Sequence, residues 1–132
     1  MKKEFIVLNH VAQAIFDKKG INILALDIRP CTDTTDYVVI AEGLADVHVK
    51  TIAQEIIAAM QIEGISLSYE EGLRNGDWVV LDFTWMAVHL FMPGMRERYE
   101  LESLWAEGQV VDVSIDVSSK MERLPLEEAS CF

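Results

Sequence analysis

Two apolar segments separated by only two residues constrain the fold of this chain more than any other feature. Residues 78–83 and 86–92 have the composition of β-strands, and Thr84-Trp85 between them predicts a hairpin turn. Because side chains in a strand alternate between the two faces of a sheet, a two-residue turn fixes the whole register. The face predicted to enter the core contains only apolar pairs, namely Phe83–Met86, Leu81–Val88 and Val79–Leu90.

The opposite face of this hairpin has a mixed composition. A solvated sheet face is normally more polar, and a buried face would not hold an acid and an imidazole without partners. Two interpretations stay open at this point. The face is either a partly open binding surface with aromatic anchors, or it is covered by a helix or by residues 110–117, with its polar groups bonded internally. The predicted pairs on this face are Trp78–Phe91, Val80–His89 and Asp82–Ala87.

The remaining sequence predicts a mixed sheet with helices. Apolar residues recur at helical spacing in three segments, and four further segments have the composition of strands. The order α-β-β-α-β-β-β-α favours the α/β (α+β) class. Helices are predicted at 5–16, 46–62 and 96–106, and additional strands at 21–28, 37–41, 65–71 and 111–117.

The charge balance restricts the class of partner. The chain carries 22 acidic and 11 basic side chains, for a net charge of −11. Direct binding to nucleic acid is therefore not expected, because phosphate contacts need Lys and Arg. A basic protein partner is favoured, since opposite fields speed encounter. The alternative is that the acidity only keeps the chain soluble.

Nothing in the sequence predicts export or a membrane anchor. No stretch approaches the ~18–20 apolar residues that a membrane span needs, and Glu4, Asn9 and His10 interrupt the first apolar run. We therefore expect a cytoplasmic protein. Cys31 and Cys131 are expected to be free thiols in a reducing compartment.

The sequence carries no recognisable catalytic or metal-binding motif. The three histidines, His10, His48 and His89, are far apart and lack further ligands at metal-binding spacing. His48, at the start of a predicted helix, is expected to have a structural role. The two glycine-rich phosphate-binding motifs, G-x-x-x-x-G-K-[ST] and G-x-G-x-x-G, are both absent from the sequence. We therefore predict no metal and no cofactor.

Five short segments, taken in order and spacing, resemble the ribosomal silencing factor family, also called Iojap-like. The resemblance covers roughly residues 5–106, which suggests a domain at 1–108. Residues 109–132 form a C-terminal extension without a matching counterpart, strand-like at first and then expected to fray. The segments are Asp36-Tyr-Val-Val-Ile-Ala-Glu-Gly43, Asp46-Val-His-Val49, Asp77-Trp-Val-Val-Leu-Asp82, Val88-His-Leu-Phe91 and Tyr99-Glu-Leu-Glu-Ser-Leu-Trp105.

The resemblance implies a fold, a function and a docking surface. The fold is similar to that of nucleotidyltransferases, with a mixed five-stranded sheet and no catalytic motif. Family members bind the large-subunit ribosomal protein at the subunit interface, the fourteenth in the standard naming, and block joining of the small subunit. Many form homodimers. The implied docking residues are Trp78, Asp82, His89 and Tyr99, with Phe91 and Glu97 as weaker members. The alternative is a degenerate nucleotidyltransferase-type enzyme that binds a nucleotide.

Overall fold

A computed structural model describes residues 3–96 and 107–116 of the chain. The described residues form one six-stranded sheet with two long helices. The helices are α1 (Lys3–Asp17) and α2 (Asp46–Ile62). The strands are β1 (Ile21–Asp27), β2 (Tyr37–Glu42), β3 (Tyr69–Glu71), β4 (Trp78–Asp82), β5 (Met86–Phe91) and β6 (Gln109–Val111).

The sheet is mixed, as the sequence predicts. Its strand order is β3-β4-β5-β2-β1-β6. The β2–β5 pair is parallel and the other four pairs are antiparallel. Five strands make the predicted sheet, and β6 adds a sixth along the free edge of β1. That strand covers 109–111 instead of the predicted 111–117, and β3 is shorter than the predicted 65–71. The predicted helix at 96–106 lies almost wholly outside the described residues.

Both helices pack on one face of the sheet, which holds the main core. The apolar stripe of α2 recurs at helical spacing, so its members all point toward the sheet. Each fully buried aliphatic side chain of this kind contributes roughly 1.5–3 kcal/mol through the hydrophobic effect. The buried residues of α2 are Val49, Ile52, Ala53, Ile56 and Met60.

The predicted hairpin register is confirmed. Trp78 pairs with Phe91, Val80 with His89, and Asp82 with Ala87. Because the register holds, the side chains on the other face of the hairpin all enter the core. The six predicted core residues of the hairpin, Val79, Leu81, Phe83, Met86, Val88 and Leu90, are buried.

The turn of this hairpin places a β-branched residue in a strained conformation. Thr84 has φ +81°. A β-branched residue at positive φ is a steric outlier. The Trp85 amide donates to the Phe83 carbonyl at 3.1 Å, which closes a tight three-residue turn around Thr84. Two side chains hold it there: Asp82 Oδ1 accepts the Thr84 amide at 2.8 Å, and the Ser68 and Thr84 hydroxyls lie 2.7 Å apart.

Replacing Thr84 with glycine is expected to raise the free energy of unfolding by roughly 1 kcal/mol. Backbone strain of this kind costs about 1–3 kcal/mol, which exceeds the ~0.5–1 kcal/mol that the extra freedom of glycine costs. Urea unfolding measures the difference. Ser68→Ala is the control, because it removes the hydroxyl bond and leaves the strain. A destabilised Thr84→Gly variant would show that the hydroxyl bond outweighs the strain.

On the second face of the sheet, the half formed by β1 and β2 is buried, and the half formed by β4 and β5 is partly exposed. Leu26, Ile28, Val38 and Ile40, from β1, β2 and the residue after β1, are buried there together with Phe91. The outward side chains of β4 and β5 keep partial exposure, apart from Phe91. These partly buried residues are Trp78, Val80, Asp82, Ala87 and His89. The hairpin half of this face, to which the two interpretations apply, is thus partly exposed, apart from Phe91.

Candidate functional site

Three aromatic rings meet on the outer face of β4 and β5. The Trp78 and Phe91 ring centroids lie 5.2 Å apart, and those of Trp78 and His89 lie 6.2 Å apart. His89 stacks on Phe91 at 6.3 Å with nearly parallel planes. The hairpin register brings the three rings together, because Phe91 lies directly opposite Trp78 and His89 is the diagonal neighbour of Trp78. Phe91 is fully buried beneath the other two.

A hydrogen bond fixes the orientation of the indole. Trp78 Nε1–H donates to His89 Nδ1 at 3.2 Å. The imidazole must be unprotonated at Nδ1 to accept it. Burial of the ring lowers the pKa of His89 from 6.5 to about 4, and the nearby Asp82 carboxylate opposes this only in part. At neutral pH the His89 ring is uncharged, so the indole N–H is bonded inside the protein and the partly exposed part of the side chain is the indole ring.

A groove of about 260 Å³ runs beside the indole. Gly72, in the lining of this groove, allows the β3–β4 connection to lie close to β4. Gly72 has φ +87°, and an added Cβ would lie 1.9 Å from the Trp78 carbonyl oxygen. Only glycine therefore permits the β3–β4 connection to lie against β4 here. The groove is lined by Glu71, Gly72, Asp77, Trp78, Val80 and Met95.

The rim of this groove is negatively charged. Glu71 Oε1 accepts the Tyr69 hydroxyl at 2.9 Å, and Asp77 Oδ1 accepts the Trp78 amide at 2.9 Å. Neither carboxylate forms an ion pair within residues 3–96 and 107–116. An apolar floor with uncompensated carboxylates at its edge suits a basic protein surface.

Asp82 lies on the same face as Trp78 but at the opposite end of β4. The two residues are four positions apart in the strand, which is about 13 Å. Its Oδ1 accepts the Thr84 amide, so this carboxylate also supports the hairpin turn. The candidate surface is therefore elongated. The predicted docking residues Glu97 and Tyr99 lie outside the described residues.

His48 has the structural role that its position predicts. The Leu44 amide donates to His48 Nδ1 at 2.8 Å, so the ring proton is on Nε2, which lies 2.6 Å from the Lys18 carbonyl oxygen. The imidazole thus joins the segment after α1 to the start of α2. It is far from the outer face of β4 and β5 and is not part of the candidate surface.

Two groove residues have no signal of their own in the sequence. Gly72 and Met95 are brought to Trp78 by turns that only tertiary contacts define. Pro93-Gly94 indicated a turn before Met95, but not the direction in which the chain continues. Gly72 similarly predicted a loop and not a contact with β4.

The described part of the chain has neither a metal-binding cluster nor a membrane-spanning helix. No group of three or more His, Cys, Asp or Glu side chains there could hold a metal ion. No helix in residues 3–96 and 107–116 is long and apolar enough to cross a membrane. Cys31 is a partly buried free thiol, and Cys131 lies outside the described residues.

Comparison with known proteins gives one consistent family. Residues 2–130 match the family described as "Ribosomal silencing factor during starvation". The ribosomal silencing factor of Bacillus subtilis is 33% identical over 112 residues, which cover 85% of this chain and 95% of that protein. The mitochondrial Iojap-related protein of Arabidopsis thaliana is 31% identical over 117 residues, which cover 84% of this chain and 63% of that protein.

Solved structures agree with the sequence comparison. A crystal structure from Chromobacterium violaceum has a TM-score of 0.76 and 26% identity, and covers 89% of this chain and 97% of its own. One from Bacillus halodurans has a TM-score of 0.73 and 30% identity, and covers 82% of this chain and 98% of its own. The sheet, its register and these matches lead to one conclusion: this chain belongs to the ribosomal silencing factor family.

Proposed function

We propose that this protein binds the large ribosomal subunit in the cytoplasm and sterically prevents the small subunit from joining. The docking partner is the basic large-subunit protein at the subunit interface, the fourteenth in the standard naming. The observation that carries the proposal is the partly open outer face of β4 and β5, where Trp78 lies beside an acid-rimmed groove. Aromatic side chains at the centre of a polar rim are typical of protein-binding hot spots.

The charge of the chain supports the same partner. A net charge of −11 disfavours direct contact with ribosomal RNA and favours a basic protein. Family membership supports a ribosomal target, since its relatives are named ribosomal silencing factors. A mouse relative, 33% identical over 87 residues, which cover 64% of this chain and 38% of that protein, is named for mitochondrial assembly of the large ribosomal subunit.

The proposed mechanism is occlusion, so it needs neither turnover nor a cofactor. Binding energy comes from burying the indole and the groove floor. Carboxylates on the rim act mainly on the association rate and its salt dependence. A second copy of the chain could bury the same face as a homodimer, and light scattering over a concentration series measures that competition.

Sucrose-gradient sedimentation of purified ribosomal subunits tests the proposal. Added before the subunits are mixed, the protein should sediment with the large subunit and reduce the fraction of joined ribosomes. Added small subunit should not displace it at saturating protein concentration. Full subunit joining under saturation would contradict the proposal, as would sedimentation with the small subunit alone.

A further inference from the structure

One buried ion pair has no part in the site described so far. Glu42 and Arg96 are the only buried charged residues among 3–96 and 107–116. Arg96 Nη1 lies 3.3 Å from Glu42 Oε2 and donates to the Asn22 carbonyl at 2.7 Å. Asn22 Nδ2 in turn donates to Glu42 Oε1 at 3.2 Å. Such a pair adds little net stability, because the cost of desolvating both charges offsets much of their attraction.

Glu42 of the ion pair lies in the same row of cross-strand neighbours as Trp78. Trp78 is opposite Phe91 in the β4–β5 pair, and Phe91 is opposite Glu42 in the β5–β2 pair. All three side chains are on the outer face, because they share the parity that strand alternation requires. Neighbouring strands are about 4.8 Å apart, so Glu42 is roughly 10 Å from Trp78 across the fully buried Phe91.

The segment after β5 connects the two ends of this row. The Met92 amide donates to the Asp77 carbonyl at 3.0 Å, and the Met95 amide donates to the Met92 carbonyl at 3.2 Å. Pro93 and Gly94, with Gly94 at φ +89°, occupy the central positions of the turn between them. Met95 then packs against the outer-face cluster and lines the groove beside Trp78.

We infer that Arg96 is a positioning residue for ribosome docking, whose ion pair with Glu42 clamps residues 92–96 across Phe91 so that Met95 forms a wall of the Trp78 groove. The inference rests on the proposed function. Arg96 acts through Met95 and not by touching the partner. One end of the segment is tied to β4 through Met92, and the other to β1 and β2 through Arg96. Loss of the ion pair removes a contact that ties the Arg96 end of the segment to β2.

The informative variant removes both charges together. Arg96→Met alone would leave Glu42 buried and unpaired, which destabilises a fold for reasons unrelated to docking. Glu42→Met/Arg96→Met leaves no unpaired charge, preserves the net charge and keeps similar side-chain volume. We expect it to fold, to exchange its Met95 amide proton at least tenfold faster, and to bind the large subunit roughly tenfold more weakly, within the range for packed side chains away from an interface. The Met92 amide, whose bond to the Asp77 carbonyl remains, should keep its exchange rate.

Two further variants separate positioning from general stability. Lys18→Met/Glu55→Met removes an exposed ion pair on the helical side, with N and O 4.0 Å apart, and should bind like the wild type. Arg96→Lys keeps a cation beside Glu42, so it should bind more tightly than the double variant. If Glu42→Met/Arg96→Met does not fold, Glu42→Gln/Arg96→Met replaces it with the same readouts, because it also leaves no unpaired charge and keeps an acceptor for Asn22 Nδ2.

The outcomes are distinct. Wild-type affinity in the folded double variant, or unchanged exchange at Met95, would overturn the inference. If the wild-type protein itself does not bind large subunits, the proposed function fails, and amide exchange at Met95 still decides whether the ion pair holds the segment. Faster Met95 exchange with weaker binding in the double variant, together with higher affinity in Arg96→Lys than in the double variant, supports the inference.

Discussion

Replacing Trp78 with alanine is expected to weaken binding to the large ribosomal subunit by at least about 30-fold, or ~2 kcal/mol. The indole packs against Phe91 and forms one side of the acid-rimmed groove, so its removal deletes a large aromatic contact surface. The effect should lie mainly in the dissociation rate, because the rim carboxylates that attract a basic partner remain. Co-sedimentation across a protein concentration series gives the affinity.

Two controls define what a loss of binding means. Trp78→Phe keeps an aromatic ring against Phe91 and loses part of the indole together with the N–H, which already donates to His89, so it should bind more tightly than Trp78→Ala. Val110→Ala truncates an exposed apolar side chain on β6, at the far edge of the sheet, and should have no effect. Thermal unfolding confirms that each variant is folded. If folded Trp78→Ala binds as tightly as the wild type, the docking surface is elsewhere.

Lowering the pH from about 6.5 to 4 is expected to remove roughly 3 kcal/mol of stability through His89 alone. Burial lowers the pKa of His89 from 6.5 to about 4, so the unfolded chain binds a proton in this range and the folded chain does not. Protons therefore favour the unfolded state as the pH falls through the window. The contribution is fully present above pH 6.5 and declines toward pH 4.

Urea unfolding at several pH values measures this effect against a matched variant. His89→Asn places an oxygen near the position of Nδ1, so it can still accept the Trp78 indole N–H, but it does not titrate. The wild type should lose more stability than His89→Asn between pH 6.5 and 4, since carboxylate contributions are common to both. Nuclear magnetic resonance titration of His89 gives its pKa directly. A value near 6.5, or parallel stability curves, would refute this account of the buried imidazole.

The alternation of side chains along the two strands and the short turn between them were sufficient to predict the hairpin that carries the candidate site. The pairing of Trp78 with Phe91 and of Val80 with His89 follows from the two-residue turn, because a period of two permits only one register once the turn is fixed. The sequence did not predict the strained backbone of Thr84, which depends on the hydrogen bond that its amide donates to Asp82 and on the one between its hydroxyl and that of Ser68. Local pattern determined the elements, and neighbouring side chains determined the turn geometry.

The sequence alone determined the hairpin register, the two helices and the faces on which their apolar side chains lie, since these depend on periodicities within continuous segments. Only the tertiary structure decided which half of the outer face is sealed and that β6 extends the sheet. It also decided that Glu71, Gly72 and Met95 form one groove with Trp78. Those contacts join residues far apart in the chain, and the order of strands across a sheet is not encoded in the alternation of any one strand. The same holds for the bond from Arg96 to Asn22, 74 positions apart in sequence.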